Sequence, residues 1–312
     1  MKKVKNKKLN ILITCANRKI HIINWLRDSV KDIKIYVADS KKNPVSKYFA
    51  DEFWHSPEFN KKNFLKIYRY LKEKKISFIF PTSDSELKFW SFYKNLLQKK
   101  SIFVMISDYE TINLCSDKLK FYKFLKKNNI PTIETSENLN TIKSKKIVVK
   151  ERFSSGSKNC FLNLSKKKCK LLSKKIRKPI FQNFVDGKEI SIDCYVGKNI
   201  YIVLRYRELI NGGESEKTTI FVNTKIKKII TNLLEKMNFT GHVMFQGFLN
   251  ATKFYLNECN PRIGGASAVS AYSGVSSFLY FINDNLNMKK KIFIKKKPHK
   301  SFVIHKVITP ID

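Results

Sequence analysis

The chain has 312 residues, 43% of them hydrophobic and 13% aromatic, enough for two or three domains with real cores. Lys and Arg number 62 against 25 acids, a formal charge of +37, but 54 of these are Lys and only 8 are Arg. With Asn and Ile also plentiful, AT-rich coding produces such a balance without any nucleic-acid or anionic-membrane partner. The opening MKKVKNKKLNILIT is basic but reaches Arg18 and Lys19 before a secretory core of about 7–15 apolar residues can form. No apolar run approaches the roughly 18 residues of a membrane span. Six cysteines without C-x-x-C or zinc spacing, and five scattered histidines, complete the expectation of a reduced, cytoplasmic chain without a membrane partner.

In chain order, short β-branched runs at 9–14, 33–38, 76–80 and 102–106 alternate with helical patterns such as 64–74. Strands alternating with helices predict a parallel sheet covered on both faces, with ligands beyond the carboxyl ends of the strands. Polar residues follow those ends: Asn17-Arg18, Asp39 and Thr82-Ser83-Asp84. Arg18 stands out because Arg is scarce, whereas Ser83 or Asp84 is as readily a helix cap. All ten glycines lie at or after Gly156, so the first 155 residues hold neither G-x-G-x-x-G nor a P-loop. Ser116-Asp117 caps a predicted helix from Lys118 to about residue 129, stopped by Ile130-Pro131.

A strand at 147–150 leads into the small polar loop 153–159, and 166–178 carries eight basic residues expected on a solvated helix face or loop. Strands at 181–185 and 189–196 flank an Asp186-Gly187 turn. After Gly212-Gly213 come a helix at 225–237 and a hairpin at 243–260, then a Lys-rich stretch at 288–300 and a strand-like 301–307.

The hairpin carries the most chemistry. A three-residue turn at 251–253 would set Asn250 opposite Phe254 and Gln246 opposite Glu258. Glu258 and Asn260, two apart on a strand, then share a face with Gln246, giving a hard oxygen site suited to Mg2+, with Mn2+ as the alternative. Arg262 follows, a charged fork for phosphate or acyl-phosphate oxygens. The bland alternative is an exposed polar hairpin with a Pro-Arg-Ile-Gly-Gly turn. Lys118 at a helix start, Lys150 at a strand end and the amides of the 153–159 loop supply phosphate-binding chemistry. Gln182 and Glu189 are seven apart across a strand and turn, where an amide could meet an adenine edge and a carboxylate a ribose diol. Arg205 and Arg207 are candidates for gripping an acceptor carboxylate; otherwise they are exposed basic residues on an outer strand.

Together, Ser116-Asp117-Lys118, Val149-Lys150 with Ser155-Gly156-Ser157-Lys158, Gln182-Asn-Phe-Val-Asp-Gly-Lys-Glu189 and Glu258-Cys-Asn-Pro-Arg262 resemble the ATP-grasp superfamily, most of all its carbamoyl-phosphate-synthase-like carboxylate–amine ligases. The resemblance runs over most of residues 9–285 and is most specific at Glu-x-Asn-Pro-Arg. It implies mixed α/β and α+β architecture: a Rossmann-like pre-ATP-grasp domain at 1–110, a small lobe at 111–180 and a C-terminal lobe at 181–312. It implies ATP phosphates on Lys118 and Lys150 beneath Ser155, Gly156 and Ser157. Adenine would lie at the hinge Gln182, Asn183, Phe184 and Val185, with the ribose at Glu189. Glu258 and Asn260 would hold magnesium with help from Gln246, and Arg262 would face the transferred phosphoryl group. Departures are Ser154 and Asn159 where the family commonly has glycine, and Gln182 in place of a carboxylate.

The expected activity is ATP-dependent, Mg-dependent joining of a small-molecule carboxylate to an amine or ammonia through an acyl phosphate. The alternatives are a carbamoyl- or acyl-phosphate-forming synthetase fragment and a basic nucleic-acid-binding module on a decayed nucleotide fold. A homodimer is an admissible assembly.

Overall fold

Residues 8–251, 253–286 and 301–304 are described in the computed structural model. The Lys-rich 288–300 stretch and the end of the 301–307 segment lie outside the described residues. The first part of the chain runs β1 (Leu9–Thr14), α1 (Ile20–Ser29), β2 (Ile33–Asp39), β3 (Glu52–His55), α2 (Phe64–Glu73), β4 (Phe78–Pro81), α3 (Leu87–Gln98) and β5 (Phe103–Val104). These strands form a parallel sheet in the order β3-β2-β1-β4-β5. Strand β1 is apolar on consecutive positions because both its faces are covered: Ile11 and Ile13 meet Trp25 and Leu26 of α1, while Leu12 joins Ile67 and Trp90 of α2 and α3. Ser83 and Glu86 form a capping box that starts the turn leading to α3. The Glu86 carboxylate accepts from the Thr82 and Ser83 amides at 2.9 and 3.0 Å and from Trp90 Nε1 at 2.8 Å. The cap reading of this stretch therefore holds for Ser83.

Helices α4 (Tyr109–Ser116) and α5 (Lys118–Lys127) connect to a four-stranded antiparallel sheet, β6-β9-β7-β8, built from β6 (Thr135–Ser136), β7 (Ile147–Glu151), β8 (Cys160–Leu164) and β9 (Pro179–Asn183). Against it packs α6 (Lys166–Ser173), burying Cys169 while all eight basic residues of the 166–178 stretch stay exposed, as the sequence pattern suggests.

The remaining strands are β10 (Lys188–Val196), β11 (Ile200–Asn211) and β12 (Glu214–Phe221), then, after α7 (Thr224–Lys236), β13 (Gly241–Asn250) and β14 (Lys253–Asn260). Helices α8 (Ala268–Tyr272) and α9 (Ser277–Leu286) and strand β15 (Ser301–Val303) follow. The sheet order is β14-β13-β10-β11-β12-β15. Ile190 and Ile192 face α7 with Leu204, Phe245, Ile230 and Leu233, so the alternate residues Glu189, Ser191 and Asp193 face the other way. The 200–221 hairpin was not anticipated. It makes β11 an interior strand between β10 and β12, which corrects the reading of Arg205 and Arg207 as exposed residues on an outer strand. Helix α9 returns to the first sheet, setting Phe278 and Ile282 on Ile11 and Phe80. Among the described residues no helix is long and apolar enough to cross a membrane.

Candidate active site

The polar face of the six-stranded sheet carries its side chains in lateral rows. Glu258, Gln246, Ser191 and Arg205 are paired across β14, β13, β10 and β11, and Asn260, Met244 and Asp193 form the next row. Gln246 is opposite Glu258, but not through the expected turn: Asn250 pairs with Lys253 rather than Phe254, and a bulge after Gln246 restores the register. Gly247 permits it, since a Cβ there would lie 2.6 Å from Tyr255 O. Gln246, Glu258 and Asn260 thus meet on one wall, with Asn260 Nδ2 3.5 Å from Gln246 Oε1.

Across the cleft, Lys150 at the end of β7 is 4% exposed and donates to Glu258 Oε1 at 3.2 Å and Asn257 Oδ1 at 3.1 Å. Asn257 is the residue the bulge adds, so nothing in the sequence could single it out. Burial pushes the Glu258 carboxyl up, but Lys150 and Lys118 more than offset this and hold it below the ordinary range. Lys118 opens α5, whose first amides, Leu119 and Lys120, are both capped by Asp117 at 3.1 Å. Its ammonium donates to Ser154 O, and burial lowers its pKa. In the loop, Gly156, Ser157 and Asn159 have φ of +64°, +57° and +53°. Asn is among the residues that tolerate this region, which accounts for it where a glycine is usual. Gly213, at the tip of the β11–β12 hairpin, packs against Gly156 so closely that a Cβ would lie 3.0 Å from its carbonyl carbon.

Gln182, Asn183, Phe184 and Val185 line the same cleft, which encloses about 290 Å³. Gln182 donates to Thr135 Oγ1 at 2.8 Å, and Asn183 Oδ1 is buried without a hydrogen-bond partner. Glu189 ion-pairs with Arg207, which also donates to Gly213 O at 2.6 Å and Ser215 Oγ at 3.0 Å. Ser155, Gly156, Ser157 and Arg262 line it as well.

Arg205 does not join them as a carboxylate grip. Its side chain is 1% exposed and its Nε donates to Asp193 at 2.7 Å, with Met244 Sδ beside Nη2 at 3.6 Å. Asp193 also accepts from Ser267 at 2.7 Å and Ser270 at 2.9 Å, and lies 3.5 Å from His242. This hub anchors the loop after β14, because Ser267 Oγ also receives the Gly264 amide at 2.9 Å.

Arg262 leaves β14 and reaches the first sheet, where Asp84 accepts from its Nε at 2.8 Å and its Nη2 at 2.6 Å. Sequence reasoning left Asp84 as an alternative cap; its contact is tertiary and has no local signal. The neighbour of Arg18 is similar. Arg18 is exposed, whereas Lys19 is buried with Glu214 at 3.8 Å.

Residues 115–266 match the ATP-grasp domain family, and residues 11–105 match the PylC-like N-terminal domain. The chain belongs to the ATP-grasp superfamily. Its α/β and α+β organisation is the ATP-grasp fold: a Staphylococcus aureus N5-carboxyaminoimidazole synthetase superposes with a TM-score of 0.68 at 18% identity, over 97% of this chain and 82% of that one. A Campylobacter jejuni biotin carboxylase gives 0.69 at 14% identity (88% and 70% covered), and a Bacillus licheniformis L-amino acid ligase 0.67 at 17% (90% and 75% covered). In sequence, the ATP-grasp chain is 27% identical over 207 residues to the uncharacterised protein MG011 of Mycoplasma genitalium, covering 62% of this chain and 70% of that protein.

Proposed function

We propose that the chain is a cytoplasmic, Mg-dependent ATP-grasp ligase of the carboxylate–amine class, organised as a pre-ATP-grasp domain (1–110), a small lobe (111–180) and a C-terminal lobe (181–312). The observation that carries this is the meeting of two lysines, the half-buried Lys118 and the buried Lys150, with Gln246, Glu258 and Asn260 across one cleft. Structural relatives in complex with ADP, and with MgADP and bicarbonate, support a nucleotide in the equivalent cleft. The residues fit the group: the unpartnered Asn183 Oδ1 and the Gln182–Val185 stretch offer the polar edge an adenine needs. Among the described residues no three His, Cys, Asp or Glu side chains cluster, so a metal here would have one carboxylate, two amide oxygens and the nucleotide's phosphates as ligands.

On this reading Lys118 and Lys150 hold the phosphates, with Ser155, Gly156 and Ser157 above them and Glu189 at the ribose. Magnesium on Gln246, Glu258 and Asn260 would neutralise phosphate charge. Arg262 aligns the phosphoryl group with the attacking carboxylate. The carboxylate oxygen bonds to the γ-phosphorus as the bond to ADP breaks. The amine nitrogen then bonds to the acyl carbon as phosphate leaves. No protein nucleophile is required, so rate enhancement comes from positioning and charge neutralisation. Arg207, on the cleft wall, is the residue left to orient the acceptor.

The test is ADP release from Mg-ATP against a panel of amino acids, simple carboxylates and bicarbonate, with Glu258→Ala alongside. Substrate-dependent release that Glu258→Ala abolishes supports the reading; release undiminished in the variant removes the metal assignment.

A further inference from the structure

Besides Lys19 with Glu214, three ion pairs among the described residues border the cleft, and two of these need no further account. Lys150 with Glu258 and Arg207 with Glu189 join groups that all face the cleft, where phosphates, a metal or a ribose would take up either member. The third is different, because Asp84 comes from the first domain and does not line the cleft. It follows β4, beside β1, where the order of the parallel sheet reverses. It occupies the Nε–Nη2 edge of Arg262, while Nη1 donates to Ile263 O at 3.1 Å. That edge is the two-pronged one that grips a planar carboxylate, and here a carboxylate already holds it.

The Asp84 side chain has room to leave. It is 34% exposed, against 14% for Arg262, and it lines a cavity of about 360 Å³ that adjoins the cleft, sharing Lys118, Ser155, Glu258 and Asn260 with it. The same cavity is lined by Lys88, which is exposed, lies four residues on at helical spacing, and makes no ion pair among the described residues. An acid four residues before a lysine is the favourable orientation for a helical pair.

Resting on the ligase reading above, we infer that Asp84 is an internal stand-in for the substrate carboxylate: it holds the Arg262 fork until an incoming carboxylate displaces it toward Lys88. The subsite for the carboxylate to be phosphorylated is then the place Asp84 now fills. Binding of that substrate is coupled to the loop between β4 and α3, and so to the first domain. A static brace for Arg262 would behave in the opposite way, because removing a brace weakens the grip whereas removing a competitor strengthens it.

The discriminating experiment titrates acetate into the full chain at constant ionic strength and reads the apparent affinity from the shift in thermal unfolding. If Asp84 leaves the fork free about a tenth of the time, Asp84→Asn should tighten acetate about tenfold. Acetate affinity unchanged or weakened in Asp84→Asn overturns the inference. Lys88→Glu, a surface change that spares the fold, takes away the alternative partner and should weaken acetate a few-fold; no change there overturns the exchange onto Lys88. Mg-ATP added to the same samples separates the two claims. Acetate tightening without Mg-ATP stabilisation counts against the ligase reading alone, and Mg-ATP stabilisation with no acetate tightening counts against the stand-in alone.

Discussion

Asp193 and Glu258 stand on one face of the six-stranded sheet, a single side-chain row apart, each paired with a cation, Arg205 on the same sheet and Lys150 from β7 across the cleft, yet their surroundings differ in kind. Asp193 and Arg205 are 2% and 1% exposed, and the Asp193 carboxylate is filled by an arginine, two serine hydroxyls and a nearby histidine. Glu258 is 23% exposed and takes one ammonium, shared with Asn257. A carboxylate saturated with donors cannot turn to a ligand without leaving several groups unpaired, whereas one with a single partner exchanges at small cost. A carboxylate paired with a cation thus makes a fixed anchor at Asp193 and a ligand site at Glu258, and the hydrogen-bond count decides which.

The largest effect should come from breaking the anchor. Asp193→Asn leaves the buried Arg205 charge uncompensated, a loss of about 3–5 kcal/mol in stability. Urea unfolding of the variant measures it, and a midpoint near wild type would place Asp193 with the exchangeable groups. Glu258→Ala should do the reverse. Stability should fall by less than in Asp193→Asn, about 1–3 kcal/mol, because Lys150 keeps Asn257 Oδ1 at 3.1 Å, but kcat should fall about 10²–10³-fold, as when one preorganised electrostatic group is lost from a transition state.

This contrast also marks what the sequence could disclose. The strands β1, β2 and β4 were legible because each is a continuous apolar run buried on both faces. Strand β3, four residues reading Glu-Phe-Trp-His, has no pattern to find. The pairing of Gln246 with Glu258 was reached through the wrong turn, since a bulge at Gly247 leaves no periodic trace. Arg205 and Arg207 look equivalent two residues apart on one strand. Only the packing of the 264–267 loop over Asp193 separates the anchor from the residue on the cleft wall. Asp84 and Lys19 meet their partners across the domains, at 178 and 195 residues' separation, where no local spacing speaks.

A pH series sharpens the contrast from a third position. His21 is packed at the junction with the Gly265 backbone, and burial foremost, with Lys19 adding to it, pushes its pKa down to about 4. Its folded value lies below the roughly 6.5 of the unfolded chain, so the unfolded state takes the proton first. Stability should therefore be full above about pH 6.5 and decline as pH falls from there to about 4. The Asp193 and Glu258 carboxyls are held below the ordinary range, so what they contribute is lost only at lower pH. Thermal unfolding at pH 7 and pH 5 should differ in wild type, and His21→Gln should remove most of the difference.

The smallest expected effect belongs to a pair midway between the two. Asp117 is 4% exposed and Arg152 21%, and they meet bidentately at 2.7 and 2.8 Å while Asp117 also caps α5. Asp117→Asn keeps an oxygen for the Leu119 and Lys120 amides but gives up the charge opposite Arg152, which still has Glu137 at 3.2 Å. A loss of about 1 kcal/mol in urea unfolding is expected, as for a partly exposed pair. Lys118 is the next residue and takes its direction from that cap, so Mg-ATP affinity should weaken a few-fold with kcat nearly kept. If kcat instead falls as far as in Glu258→Ala, the clasp of Asp117 by Arg152 belongs to the catalytic cleft and not to the scaffold beneath it.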